Sequence, residues 1–125
     1  MNRKKYLIGL ILVIIVTFGC ESHAFQEGFK TLTAEEAKIE LSKDENIVLL
    51  DVRSEEEFEE KHIEGSILIP IYVLEEKVNM EIPDKNTRVF VYCKSGKRST
   101  EASEILVNLG YKNVYNIEGL DYWEN

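Results

Sequence analysis

Apolar and polar positions change period several times along the chain, and each change marks an element. Tyr6–Phe18 (YLIGLILVIIVTF) is an unbroken uncharged run. Thr33-Ala34-Glu35-Glu36 has capping-box spacing, and Ala34, Ile39 and Leu41 supply part of an apolar face, which predicts a helix of about ten residues. Ile47-Val48-Leu49-Leu50 is short and wholly apolar, as a strand buried on both faces should be. Ser54-Glu55-Glu56-Glu57 repeats the capping box and opens a short helix through Glu60. Its acidic residues suit a positive helix amino terminus, and a solvated face accounts for them. Ser66–Ile69 is a further short strand closed by Pro70, and Leu74–Val78 reads as helix. Arg88–Tyr92 (RVFVY) carries the strongest strand signal. Ser99–Leu109 places Ala102, Ile105, Leu106 and Leu109 on one helical face with Gly110 as its cap, and Val114–Ile117 gives a last strand. Strands alternate with helices and no hairpin signal intervenes. The pattern predicts crossover connections, a parallel sheet and an α/β three-layer domain. Such sheets place their sites at strand carboxyl ends, which singles out Asp51 and Cys93.

The amino terminus is of a different kind. Met1–Lys5 is basic, and the 13-residue run that follows would span about 20 Å as a helix, short of the roughly 30 Å of a hydrocarbon core. It reads as an export signal, with an uncleaved anchor as the alternative. The run ends in Thr17-Phe18-Gly19-Cys20, with Cys after a small residue. This resembles a bacterial lipoprotein signal, in which the thiol is lipidated, although Thr17 stands where that pattern prefers Leu. The division expected is a signal over residues 1–20, a linker over 21–28 and one domain over 29–125. The domain would then lie outside the cytoplasm, within about 26 Å of its membrane.

Charge sharpens the picture. Arg3, Lys4 and Lys5 lie in the signal, and the rest holds 12 basic against 23 acidic residues, a net charge of −11. Such a domain repels nucleic acid. Its two cysteines, Cys20 and Cys93, exclude a disulfide framework and a four-Cys zinc site. Against that background Lys94, Lys97 and Arg98 cluster within Cys93-Lys94-Ser95-Gly96-Lys97-Arg98-Ser99, between the strongest strand and the longest helix. Converging backbone N–H groups at a strand-to-helix turn favour a thiolate and leave the sulfur partly exposed. Cations at a helix amino terminus oppose its dipole, so fold stability alone does not select them. An inert cysteine beside surface lysines is the plain alternative; the glycine and three cations favour an anion pocket around a nucleophile.

From about Phe29 to Trp123 the chain resembles a single-domain rhodanese, a sulfurtransferase domain. The residues carrying the resemblance come in family order: Thr31–Ala34, Asp51-Val52-Arg53, Phe58, His62-Ile63-Glu64-Gly65-Ser66, Ile69-Pro70, the Cys93–Ser99 loop, and Glu118-Gly119-Leu120 with Trp123. The resemblance implies a five-stranded parallel sheet flanked by helices. It also implies a persulfide on Cys93, and no metal or organic cofactor. Lys94, Ser95, Gly96, Lys97, Arg98 and Ser99 would then hold an anionic donor such as thiosulfate, with Asp51 and Arg53 in support. His62 falls at a structural helix end, Gly65 and Gly119 at turns of unusual φ, and Trp123 in the core. Lys61, Ser66 and Glu118 depart from the more usual Gly, Ala and Gly.

Rival readings differ in testable ways. The nearest rival is a phosphatase or arsenate reductase of this fold with a Cys-loop-Arg site; phosphatase loops of the Cys-x5-Arg kind need Arg at the seventh residue, and here Arg98 is sixth and Ser99 seventh. A non-catalytic binding module commonly lacks the cysteine, and a thiol–disulfide oxidoreductase needs a Cys-x-x-Cys pair. The partners expected are a small anionic sulfur donor, a thiol or cyanide acceptor and, through lipidated Cys20, a membrane. No nucleic acid and no second copy of the chain is expected.

Overall fold

Two capping boxes start the first helices as their sequence spacing requires. In each, the N-cap hydroxyl accepts the N–H three residues on, and the glutamate there reaches back to the N-cap N–H. The structure, a computed structural model, describes residues 28–123, so the expected signal, Cys20 and most of the linker lie outside the described residues. Strands are β1 (Lys30–Leu32), β2 (Val48–Asp51), β3 (Ile67–Leu68), β4 (Arg88–Tyr92) and β5 (Asn113–Ile117). Helices are α1 (Ala34–Lys43), α2 (Glu55–Glu60), α3 (Leu74–Glu81, after a 3₁₀ turn over Ile71–Val73), α4 (Lys97–Asn108) and α5 (Leu120–Trp123). The sheet is parallel throughout, in the order β1-β5-β4-β2-β3.

Strand alternation divides the core. Val89, Val91 and Cys93 face one layer with Leu50, Leu74, Val78, Ala102 and Leu106. Phe90 and Tyr92 face the other with Ala37, Leu49, Ile63 and Ile117. Burial on both sides is why β2 and β4 read as continuous apolar runs. The expected α/β three-layer fold with five parallel strands is the one observed.

Several local expectations need correction. Ile39 is not core but 52% exposed, because Ala34 and Ala37 set the inward face of α1 and Ile39 lies across the helix from Ala37. β1 went unseen in the residue pattern, since a three-residue edge strand with only Leu32 packed inward has no periodicity to read. Helix α4 begins at Lys97, two residues early. Gly96, at φ +118, takes the left-handed N-cap position, so Lys97 and Arg98 are in the first turn. At its far end Gly110 (φ +99) donates to the Val107 carbonyl and Tyr111 to that of Leu106, closing the helix.

Candidate active site

The candidate site is built around the end of β4. Cys93 follows the strand's last residue, and the turn Lys94–Gly96 folds back over its sulfur. Gly96 N–H donates to Sγ at 3.1 Å and Ser99 N–H at 3.3 Å. The thiol itself donates to Ser99 Oγ at 3.4 Å, and that hydroxyl donates to the Gly96 carbonyl at 3.2 Å. Two backbone donors and one hydroxyl thus surround the sulfur where negative charge sits in a thiolate. Only Gly96 makes this turn without strain, because its φ is one that a side chain rarely adopts.

Asp51, at the end of β2, is paired in register with Tyr92, one residue before Cys93. It does not face the sulfur as a free carboxylate. Arg53 Nε donates to it at 3.0 Å and Nη2 at 2.8 Å, the Arg53 N–H donates at 2.9 Å, and Arg53 Nη2 also reaches the Lys61 carbonyl at 2.7 Å. Burial opposes the Arg53 charge, and the hydrogen bonds and charge of Asp51 outweigh it, so its pKa is raised. Both residues are buried and form a brace between the ends of β2 and α2. Beneath it the Tyr92 hydroxyl accepts from Ile63 N–H at 3.0 Å and bonds Ser66 Oγ at 3.0 Å; burial is the main reason its pKa is pushed up to about 12. Ser66, a departure from the usual alanine, therefore has a partner. Glu118 has one too: its Oε1 accepts the Ala34 N–H at 2.9 Å and caps α1.

The loop cations are already occupied. Arg98 donates to both oxygens of Glu57 at 2.7 and 3.0 Å, and Lys94 Nζ to Asp121 at 2.7 Å. The hydrogen bonds of Glu57 are the largest cause of the raised Arg98 pKa, with a smaller contribution from charge at Cys93. In return Arg98 is the main reason the Glu57 carboxyl is lowered to about 2. Lys97 makes no ion pair among the described residues, and Ser95 is exposed on the turn.

Three sequence expectations change here. Cys93 is 1% exposed rather than partly exposed, because the turn and the start of α4 wrap its sulfur. Glu57 belongs to the surroundings of the site as well as to the face of α2, and Asp121 joins it; both partners were missed. The unbalanced cations of the loop were the signal that carboxylates had to be nearby. Gly119 does not need unusual φ. A Cβ there would lie 2.3 Å from the Cys93 carbonyl oxygen and 2.5 Å from that of Lys94. The first N–H groups of α5, on Leu120 and Asp121, donate to those two carbonyls at 3.0 and 3.2 Å. His62 is at a helix end as expected, its Nδ1 donating to the Phe58 carbonyl at 2.8 Å and its ring stacked on Phe58. Trp123 is half-buried against the core, with Lys38 above its ring.

Residues 33–125 match the rhodanese-like domain family. The chain belongs to that family. It is 42% identical to the thiosulfate sulfurtransferase PspE of Escherichia coli over 71 residues, 57% of this chain and 68% of that one. It is 37% identical over 86 residues to the thiosulfate sulfurtransferase GlpE of Coxiella burnetii, covering 68% of this chain and 78% of that one. Among solved structures, a rhodanese-like domain protein from Staphylococcus aureus superposes with a TM-score of 0.70 at 28% identity, over 78% of this chain and 93% of that one. The relatives named as thiosulfate sulfurtransferases make sulfur transfer the family-level chemistry for this domain.

Proposed function

We propose that this rhodanese domain is a sulfurtransferase that carries a sulfane sulfur on Cys93, taking it from a small anionic donor of the thiosulfate kind and passing it to a thiol or to cyanide. The observation that carries the reading is the pair of N–H groups, from Gly96 and Ser99, aimed at Sγ. They serve a sulfur that is negative as thiolate and again as persulfide, and the turn supplies them without rearrangement. The relatives named as thiosulfate sulfurtransferases support it.

In the first half-reaction the Cys93 thiolate attacks the outer sulfur of thiosulfate. A new S–S bond forms, the old one breaks with its electron pair on sulfite, and the persulfide keeps the single negative charge. In the second, the acceptor's nucleophile bonds to the outer persulfide sulfur and the Cys93 thiolate leaves. The domain has no second cysteine among the described residues, so the acceptor comes from outside. Asp51 and Arg53 hold the strand ends rather than touching sulfur. By the same reading residues 1–20 are a lipoprotein signal, and Cys20, lipidated, holds the domain outside the cytoplasm.

Mass spectrometry of the full chain in detergent tests the central claim. Thiosulfate should add about 32 Da, one sulfur, to Cys93, and Cys93→Ser should gain nothing. Hydrolysis of an aryl phosphate with no adduct from any sulfane donor would sink the sulfurtransferase reading and move the site to phosphate chemistry.

A further inference from the structure

The turn around Cys93 rests on a second layer of hydrogen bonds. The Gly96 carbonyl accepts three: from the Thr100 hydroxyl at 2.8 Å, the Thr100 N–H at 3.1 Å and the Ser99 hydroxyl at 3.2 Å. Behind Thr100 stands Asn116, on β5 in register with Val91 of β4, and its Nδ2 donates to Thr100 Oγ1 at 3.0 Å. Asn116 is buried, and its Oδ1 has no hydrogen-bond partner among the described residues. Val114, two residues earlier on the same strand face, packs into the apolar core. An apolar side chain at position 116 would bury without an unbonded carbonyl, so packing alone does not select an amide there.

Each hydroxyl here has one proton to give. That of Thr100 lies on the Gly96 carbonyl, so Thr100 Oγ1 can only accept from its other neighbour, and Asn116 Nδ2 is the donor it needs. Turned the other way, the amide would draw the Thr100 proton off Gly96 and leave a buried N–H unbonded, the rarer kind of orphan. Ser99 has two claims on its proton. While Cys93 is a thiol, its S–H donates to Ser99 Oγ and the Ser99 proton goes to the Gly96 carbonyl. Once Cys93 is a thiolate, sulfur and carbonyl compete for that proton. The carbonyl has two lone pairs, and Thr100 fills both with its N–H and its hydroxyl. Ser99 is then free to turn its hydroxyl to Sγ, a third donor beside the Gly96 and Ser99 N–H groups.

We propose that Asn116 and Thr100 are positioning residues for Cys93: the amide holds the Thr100 hydroxyl on the Gly96 carbonyl, which releases the Ser99 hydroxyl to the attacking thiolate. This deepens the sulfurtransferase reading and rests on it. Neither residue bonds the sulfur, and neither belongs to the groups proposed to hold the donor. Each acts through the next in the series Asn116, Thr100, Gly96, Ser99. The same released hydroxyl serves again in the second half-reaction, when the Cys93 thiolate is the leaving group.

The test uses the full chain in detergent, thiosulfate as the probe and quenched-flow mass spectrometry of the Cys93 peptide. Thr100→Val should lower the maximal rate of sulfur addition about tenfold and leave the half-saturating thiosulfate concentration within about twofold of wild type. Thr100→Ser, which keeps the hydroxyl, should stay within about twofold in both. Asn116→Leu, which removes only the amide, should lower the maximal rate about threefold while its Tm holds or rises. In a Ser99→Ala background, Thr100→Val should cost less than about twofold more, since no Ser99 proton is left to release. Equal losses in the two backgrounds, or Thr100→Ser as slow as Thr100→Val, mark a structural role and overturn the inference. If Thr100→Val does not fold, Asn116→Leu decides: a chain that loses the fold, or that adds sulfur at the wild-type rate, also overturns it. A wild type that takes no sulfur from thiosulfate or from an organic persulfide overturns the sulfurtransferase reading itself.

Discussion

At Gly119 the missing side chain is occupied space. Carbonyl oxygens of Cys93 and Lys94 stand where a Cβ would go, and backbone held by the α5 N–H groups has nowhere to retreat. Gly119→Ala should therefore cost about 2 kcal/mol or more, seen as a fall in Tm of about 10 °C, and should slow sulfur addition to Cys93 because the displaced carbonyls are those of Cys93 itself and of Lys94. Gly65→Ala is the contrast. Its φ of +87 strains an alanine, but the space around it is open, so a loss of about 1 kcal/mol without change at Cys93 is expected. Equal effects of the two on sulfur addition would show that the close approach at Gly119 does not support the site. Both glycines stood out in the sequence. Their different reasons did not, because conformational need and steric exclusion leave the same letter.

Helix α2 shows how one short element can serve two ends. Its capping box was legible in Ser54 and Glu57, three positions apart in the chain. The bond from Glu57 to Arg98, 41 residues away, was not. That bond sets a pH dependence. The Glu57 carboxyl drops from its ordinary 4.5 to about 2, chiefly through the hydrogen bonds of Arg98. A depressed carboxylate stabilises the fold fully above its unfolded pKa, and the contribution fades as pH falls through the folded one, here between about pH 4.5 and 2. Carboxyl-carbon NMR should place the Glu57 midpoint near 2 and return it toward 4.5 in Arg98→Ala. A wild-type midpoint already above 4 would mean the clasp does not hold in solution. Element boundaries carried a parallel lesson. Helix α4 was evident from Ala102, Ile105 and Leu106, yet its start moved to Lys97 because Gly96 took a left-handed cap that periodicity does not register.

At the scale of the whole molecule, no helix among the described residues is long and apolar enough to cross a membrane, and the lipoprotein signal proposed for residues 1–20 has its own test. In cells given radiolabelled fatty acid, the wild-type chain should carry label and sediment with membranes, and Cys20→Ala should carry none. An unlabelled wild type that still sediments would favour the uncleaved anchor.

What the sequence determined by itself was mostly local. The capping boxes, the doubly buried strands and the strand-to-helix turn at Cys93 each depend on residues within a few positions, so their patterns survive in one dimension. The alternation of strand and helix carried the parallel sheet, because crossovers leave no other economical topology. Tertiary structure alone decided which cations were free. Lys94, Lys97 and Arg98 look alike in the chain. Only the packing of α2 and α5 against the ends of β2 and β4 brings Glu57 and Asp121 to two of them and leaves Lys97 unpaired among the described residues. Charge compensation depends on distance in space, and between residues 27 and 41 positions apart it is the fold that sets the distance.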